Sequence, residues 1–136
     1  MQQYEDDATI LEGAVLLRRI PPWHFFFDKN LRRVRPSGAA FEDDPDGTPM
    51  SVSLKEVMER DGRTVSDSLA RHPGFALVGF TARLARKCEQ GIARDPLPDD
   101  TAHAVVFGPK PKSVRRKFAR EAVWMVAPPA SQVRLD

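Results

Sequence analysis

The stretch Phe-Ala-Leu-Val-Gly-Phe at 75–80 constrains the fold more than any other part of the chain. It is continuously apolar, follows a His-Pro-Gly breaker at 72–74 and runs into Thr81. A run of this kind fits a central strand covered on both faces. The rest of the chain must then supply layers for both sides of a sheet. At 136 residues one domain is expected, and a domain of this size buries roughly two-thirds of its unfolded surface.

The segments after this strand alternate. Thr81 is placed to cap a helix from Ala82 to about Gln90, with Gly91 as its stop. His-Ala-Val-Val-Phe-Gly at 103–108 reads as a strand, 113–122 as a helix, and Val-Trp-Met-Val-Ala at 123–127 as a last strand. This alternation favours some parallel pairing with right-handed crossovers. The first half is less regular. Residues 14–20 and the aromatic run Trp-His-Phe-Phe-Phe-Asp read as strands, 28–48 as a long loop, and Met50–Val52 as a short strand. Ser53 and Glu56 have the spacing of a capping box, and Thr64 with Asp67 repeats it. Residues 1–9 and 130–136 are expected to be loose. The fold class predicted is α+β: a mixed central sheet of about five strands with three or four helices. Twelve prolines, mostly paired between apolar segments, punctuate these elements.

Cys88 is the only cysteine, so no disulfide can form within the chain, and its position on an apolar helix face suits a small hydrophobe. No apolar run is long enough to span a bilayer, and the first ten residues carry no secretory pattern. A cytoplasmic protein, bacterial in style, is expected. The net charge of +2 is uneven: residues 1–50 hold six basic and nine acidic side chains, and residues 51–136 hold fifteen and ten. A polyanion contact therefore belongs in the C-terminal half.

Two segments carry positive charge in a usable pattern. Residues 110–121 hold six cations, Lys110, Lys112, Arg115, Arg116, Lys117 and Arg120, against Glu121 alone. With Val114 and Phe118 on one helix face, the cations project around the rest, which is a way of placing charge along a phosphate backbone. The other segment is Arg32-Arg33-Val34-Arg35-Pro36-Ser37-Gly38, where arginines flank a turn whose N–H groups suit an anion. Arg33, Arg35 and Ser37 are its candidate ligands. The acidic run Glu42, Asp43, Asp44 and Asp46 follows at once, so internal ion pairs are the competing explanation for both charge runs.

The candidate acid–base residues are His103, which opens a strand after Asp99-Asp100, and His24, which pairs with it if their strands adjoin. Motifs for metal binding, nucleotide loops and nucleophile elbows do not occur, so no metal or cofactor is expected. A strand ending in Arg18-Arg19 followed by Ser51 or Ser53 resembles the order of NAD-gripping residues in ADP-ribosyltransferase-like folds. The resemblance covers two positions, and the glutamate those folds carry on a late strand is missing, Glu121 falling on the predicted helix.

Two functions follow as expectations. One is an accessory or regulatory domain that docks on a protein partner, with Trp23, Phe25 and Trp124 as the available aromatics. The other is a protein or enzyme that binds RNA or a nucleotide phosphate, with Arg33, Arg35, Ser37 and His103 in one site and the basic helix holding the polyanion.

Overall fold

The computed structural model describes residues 3–135. In chain order the elements are β1 (Val15–Ile20), β2 (Phe25–Asp28), β3 (Arg33–Pro36), β4 (Met50–Leu54), α1 (Lys55–Arg60), β5 (Ala76–Thr81), α2 (Ala82–Lys87), β6 (Gly91–Arg94), β7 (His103–Phe107), α3 (Lys112–Glu121), β8 (Val123–Val126) and β9 (Arg134–Leu135). The architecture is α+β. One sheet has six strands, in the order β6-β7-β4-β1-β5-β8, and a small one has the order β3-β2-β9.

The FALVGF segment forms β5, with Ala76, Leu77 and Val78 fully buried between β1 and β8. Every pairing in the large sheet is antiparallel, so the expected parallel pairing does not form there. The α2 and α3 connections do join strands that run the same way, β5 to β6 and β7 to β8, but three strands lie between the members of each pair, so like-directed strands never become neighbours. The parallel pair that does exist joins β2 to β9.

Thr81 caps α2, its Oγ1 accepting from the Leu84 N–H at 3.2 Å. At the second weak signal, Asp67 accepts from the Thr64 N–H at 2.7 Å and opens a short 3-10 helix. The capping box expected at Ser53 does not form. Ser53 lies inside β4, opposite Leu17 on one side and His103 on the other, and α1 begins at Lys55 without a side-chain cap. Ladder hydrogen bonds on both edges of the strand outweigh the roughly 1 kcal/mol of a cap.

Three strands were not foreseen. β3 lies in the segment read as loop, β6 begins at the glycine read as a helix stop, and β9 lies in the tail read as loose. Gly91 sits directly opposite Phe107, and a Cβ there would fall 2.2 Å from that ring, so glycine opens the space the aromatic fills. The chain ends expected to be loose are also tied down in part. Asp7 donates its N–H to Ile92 O at 2.8 Å and pairs with Arg94, Asp6 pairs with Arg86, and Arg134 and Leu135 lie opposite Phe26 and Phe27.

Two features of the packing position the candidate sites. Phe41, in the 3-10 turn Gly38–Phe41, meets Phe80 of β5 edge-on and stacks on Phe118 of α3 at 5.8 Å. The turn is thereby fastened to α3. Separately, β1 pairs with β5 along its full length but with β4 only at Leu16 and Leu17. The two strands part beyond that point. The Arg18 guanidinium fills the split, donating to Ser51 O at 2.9 Å, Ala40 O at 3.0 Å and Glu42 O at 3.4 Å. It satisfies the Ser51 carbonyl, on the stretch of β4 that β1 no longer pairs, and ties two carbonyls of the 38–42 turn to the sheet.

Candidate functional site

Each turn of an α-helix advances 3.6 residues, so Lys112, Arg115, Arg116, Ala119 and Arg120 share an arc of about 140° on α3. The buried Phe118 and the partly buried Val114 point away from that arc, into the core. What the arc faces is set by the Phe41–Phe118 contact. The turn at 38–41 packs against α3 so closely that a Cβ on Gly38 would rest 3.6 Å from the Arg115 Cβ. The β2–β3 hairpin leads directly into the turn, and Arg35 stands opposite Phe26. The two basic segments, about eighty residues apart in sequence, become the walls of one groove of about 540 Å³.

Arg35, Ser37, Lys112, Arg115, Arg116 and Arg120 all line it. Five of them are cations, and Asp28 is the one carboxylate in the lining. Phe26, Leu31 and Ala119 supply apolar surface between them. Arg35 is held rigidly: its guanidinium lies 4.5 Å over the Phe26 ring, Nε donates to Asp28 Oδ2 at 2.6 Å and Nη1 to Pro36 O at 2.9 Å. Asp28 also accepts from the N–H groups of Leu31 and Asn30. The bond from Arg35, with those backbone donors, holds its carboxyl below the usual range.

The internal pairs foreseen as the competing explanation exist in part. Arg115 Nη1 lies 2.8 Å from Glu42 Oε1. Among the described residues the side chains of Lys112 and Arg116 make no ion pair or hydrogen bond, and Arg120 has only a 4.0 Å contact with its exposed neighbour Glu121. These three charges remain available to a ligand.

Other predicted ligands lie elsewhere. Lys110 is not a surface cation. Its side chain is 4% exposed, and Nζ pairs with Asp43 at 2.6 Å and donates to Val106 O and Gly108 O. Burial lowers its pKa even against the pull of Asp43. Arg33, exposed at the start of β3, lines a shallow cleft beside Trp124 rather than the groove. Lys117 turns the other way around α3, towards Arg83 and Lys87 of α2. Of the aromatics expected at an interface, Phe25 is fully buried and Trp124 donates its indole N–H to Val34 O at 3.1 Å, while Trp23 is 62% exposed.

The histidines do not pair with each other, because β2 and β7, beside and within which they sit, belong to different sheets. His24 closes a 3-10 turn with its ring edge-on to Trp23, and burial, with Arg18 nearby, lowers its pKa. His103 does not join Arg35 and Ser37 in the groove. It lines a second pocket, of about 270 Å³, at the split between β1 and β4, with Ser51, Ser53, Arg19 and His72. There Nδ1 lies 2.8 Å from Asp95 O and 3.3 Å from Asp95 Oδ2, and Nε2 lies 3.2 Å from Ser51 Oγ.

The residues missed from sequence are Phe26 and Asp28 in the groove and Asp95 beside the pocket. For the first two a signal was present. Phe-Phe-Phe-Asp before Lys29-Asn30 and Arg-Val-Arg after it is a strand–turn–strand pattern, and its period of two puts Phe26 and Asp28 on one face. Asp95 carried none, since β6, which delivers it, was unrecognised. The order Arg18, Ser51 offered as an ADP-ribosyltransferase-like resemblance does not produce a gripping arginine, because Arg18 is turned inward onto three carbonyls. The chain matches no protein-family model, no curated protein and no solved structure.

Proposed function

We propose that the groove between α3 and the β2–β3 hairpin binds the phosphate backbone of a single-stranded RNA. The observation that carries this reading is the convergence of five cations with one carboxylate on an apolar-floored groove, three of those cations having no strong internal partner. Lys112, Arg116 and Arg120 follow one another at four-residue intervals, a row roughly 6 Å from charge to charge. Ser37 adds a hydroxyl donor to the same lining, and Phe26 and Leu31 offer apolar surface to a base or ribose. Such a ligand suits a cytoplasmic protein.

Fluorescence anisotropy with a labelled twenty-nucleotide RNA of mixed sequence tests this. Three unpaired cations predict a log–log salt slope of about −2, from about −0.7 per neutralised phosphate on a single strand. Changing Lys112, Arg116 and Arg120 together to alanine should flatten the slope and abolish binding at physiological salt. Undiminished binding by that triple variant, or none by the native protein at low salt, refutes the assignment.

A second reading, an accessory or regulatory domain docked on a protein partner, draws on the exposed Trp23, which lies edge-on to Phe75. In that case Trp23→Ala weakens capture of the partner while RNA anisotropy stays flat.

A further inference from the structure

The geometry points to a second, independent site: we propose that Ser51 and His103 form a nucleophile–base pair that hydrolyses small carboxylic esters. The argument begins with the tautomer. Asp95 O is an acceptor and nothing else, and it lies 2.8 Å from His103 Nδ1. The ring proton is therefore on Nδ1, and the Asp95 carboxylate at 3.3 Å reinforces that placement. Nε2 is left with its lone pair, 3.2 Å from Ser51 Oγ, so the hydroxyl donates to it. A serine donating to an imidazole whose other nitrogen is fixed by a carboxylate-bearing residue is an activated nucleophile.

The backbone holds this arrangement in place. Ser51 and His103 lie on adjoining strands, with Ser53 and His103 directly opposite. The Ser51 carbonyl is gripped by the buried Arg18 guanidinium. Alternation along β4 buries Met50, Val52 and Leu54 on one face and turns Ser51 and Ser53 to the other, where the strands part and the pocket opens. At about 270 Å³ it holds a short acyl group and little more. Arg19 on its wall is the cation available to a developing oxyanion.

In the first step Ser51 Oγ attacks the ester carbonyl carbon and its proton passes to His103 Nε2. The tetrahedral intermediate collapses, the bond to the alkoxy oxygen breaks, and Nε2 returns the proton to the departing alcohol. Water then attacks the acyl-serine, giving up a proton to Nε2 that finally restores the serine hydroxyl as the carboxylic acid leaves. Asp95 is a positioning residue here, acting through the imidazole.

The test uses the full chain with a fluorophosphonate probe, which forms a P–O bond to an activated serine and expels fluoride, followed by peptide mass spectrometry and by steady-state hydrolysis of p-nitrophenyl acetate. The expected result is a single adduct on Ser51. Ser51→Ala should remove both labelling and turnover, and His103→Gln should lower kcat by about a hundredfold or more, both at an unchanged melting temperature. Asp95→Asn should reduce kcat roughly tenfold with KM unaltered. Leu11→Ala, a change at an exposed side chain that lines neither the groove nor the pocket, should label like the native protein. No adduct on native protein, an adduct on another residue, or turnover surviving in a folded Ser51→Ala variant overturns the proposal.

Discussion

Changing Asp43 to alanine tests the claim that Lys110 holds the fold together rather than a ligand. Asp43 Oδ1 pairs with Lys110 Nζ at 2.6 Å and also accepts from the Met50 N–H at 3.0 Å, so it fastens the acidic loop to the start of β4. Removing one partner of a fully buried pair costs about 3–5 kcal/mol. Here Asp43 is 41% exposed, and the ammonium keeps its two carbonyl acceptors, so water and those carbonyls reduce the loss to about 1–3 kcal/mol. The orphaned Met50 N–H adds about 1 kcal/mol. The total of about 2–4 kcal/mol corresponds to a fall of roughly 8–16 °C in melting temperature for a domain of this length. Urea and thermal unfolding would measure it for Asp43→Ala, Lys110→Met and the double variant. With the ammonium gone, the aspartate should be worth only about 1 kcal/mol. If Asp43→Ala costs as much in the Lys110→Met background as in the native one, the ion pair contributes nothing and the reasoning fails. Lys110→Met should also leave RNA affinity unchanged.

Phe118→Ala should cost about 3–5 kcal/mol in urea unfolding, because the fully buried ring stacks on Phe41 and meets Phe80 at a tilt, 5.0 Å between centroids. A loss under about 1 kcal/mol would mean that α3 is not anchored there. Asp28 has its pKa lowered by Arg35 and by backbone donors, so its contribution to stability is present above the usual carboxylate range near 4 and is lost as pH falls through the depressed folded value. Asp28→Asn should therefore flatten the acid limb of stability below about pH 4. It should also free Arg35 and steepen the RNA salt slope by about 0.7; an unchanged slope would show that Arg35 does not face the ligand.

Much of the fold was legible because its signals are local. Residues 75–80 read as a buried strand, Thr81 as a cap, and 103–108 and 123–127 as strands, from runs of apolar side chains that need no knowledge of the partner strand. The cations of α3 were legible for the same reason: helical periodicity alone separates them from Phe118. Three kinds of information were not local. Ser53 had the chemistry of a cap, but two neighbouring strands claimed its backbone. Gly91 looked like a helix stop because the ring that requires a glycine there belongs to Phe107, sixteen residues on. Lys110 looked like its neighbours on α3 until Asp43 and two strand-end carbonyls enclosed it.

The sites show the division most clearly. Residue order alone determined that one helix would be basic, that Arg35 and Ser37 would flank a turn, and that His103 would open a strand. It left open which of these would meet. Arg35 reaches the cations of α3 because Phe41 stacks on Phe118, a contact across 77 positions, and His103 reaches Ser51 because β4 and β7 are neighbours in the sheet. Local periodicity is written into side-chain spacing and costs little to read. The meeting of distant segments depends on which packing buries the most apolar surface with every carbonyl satisfied, and that is a property of the whole folded chain.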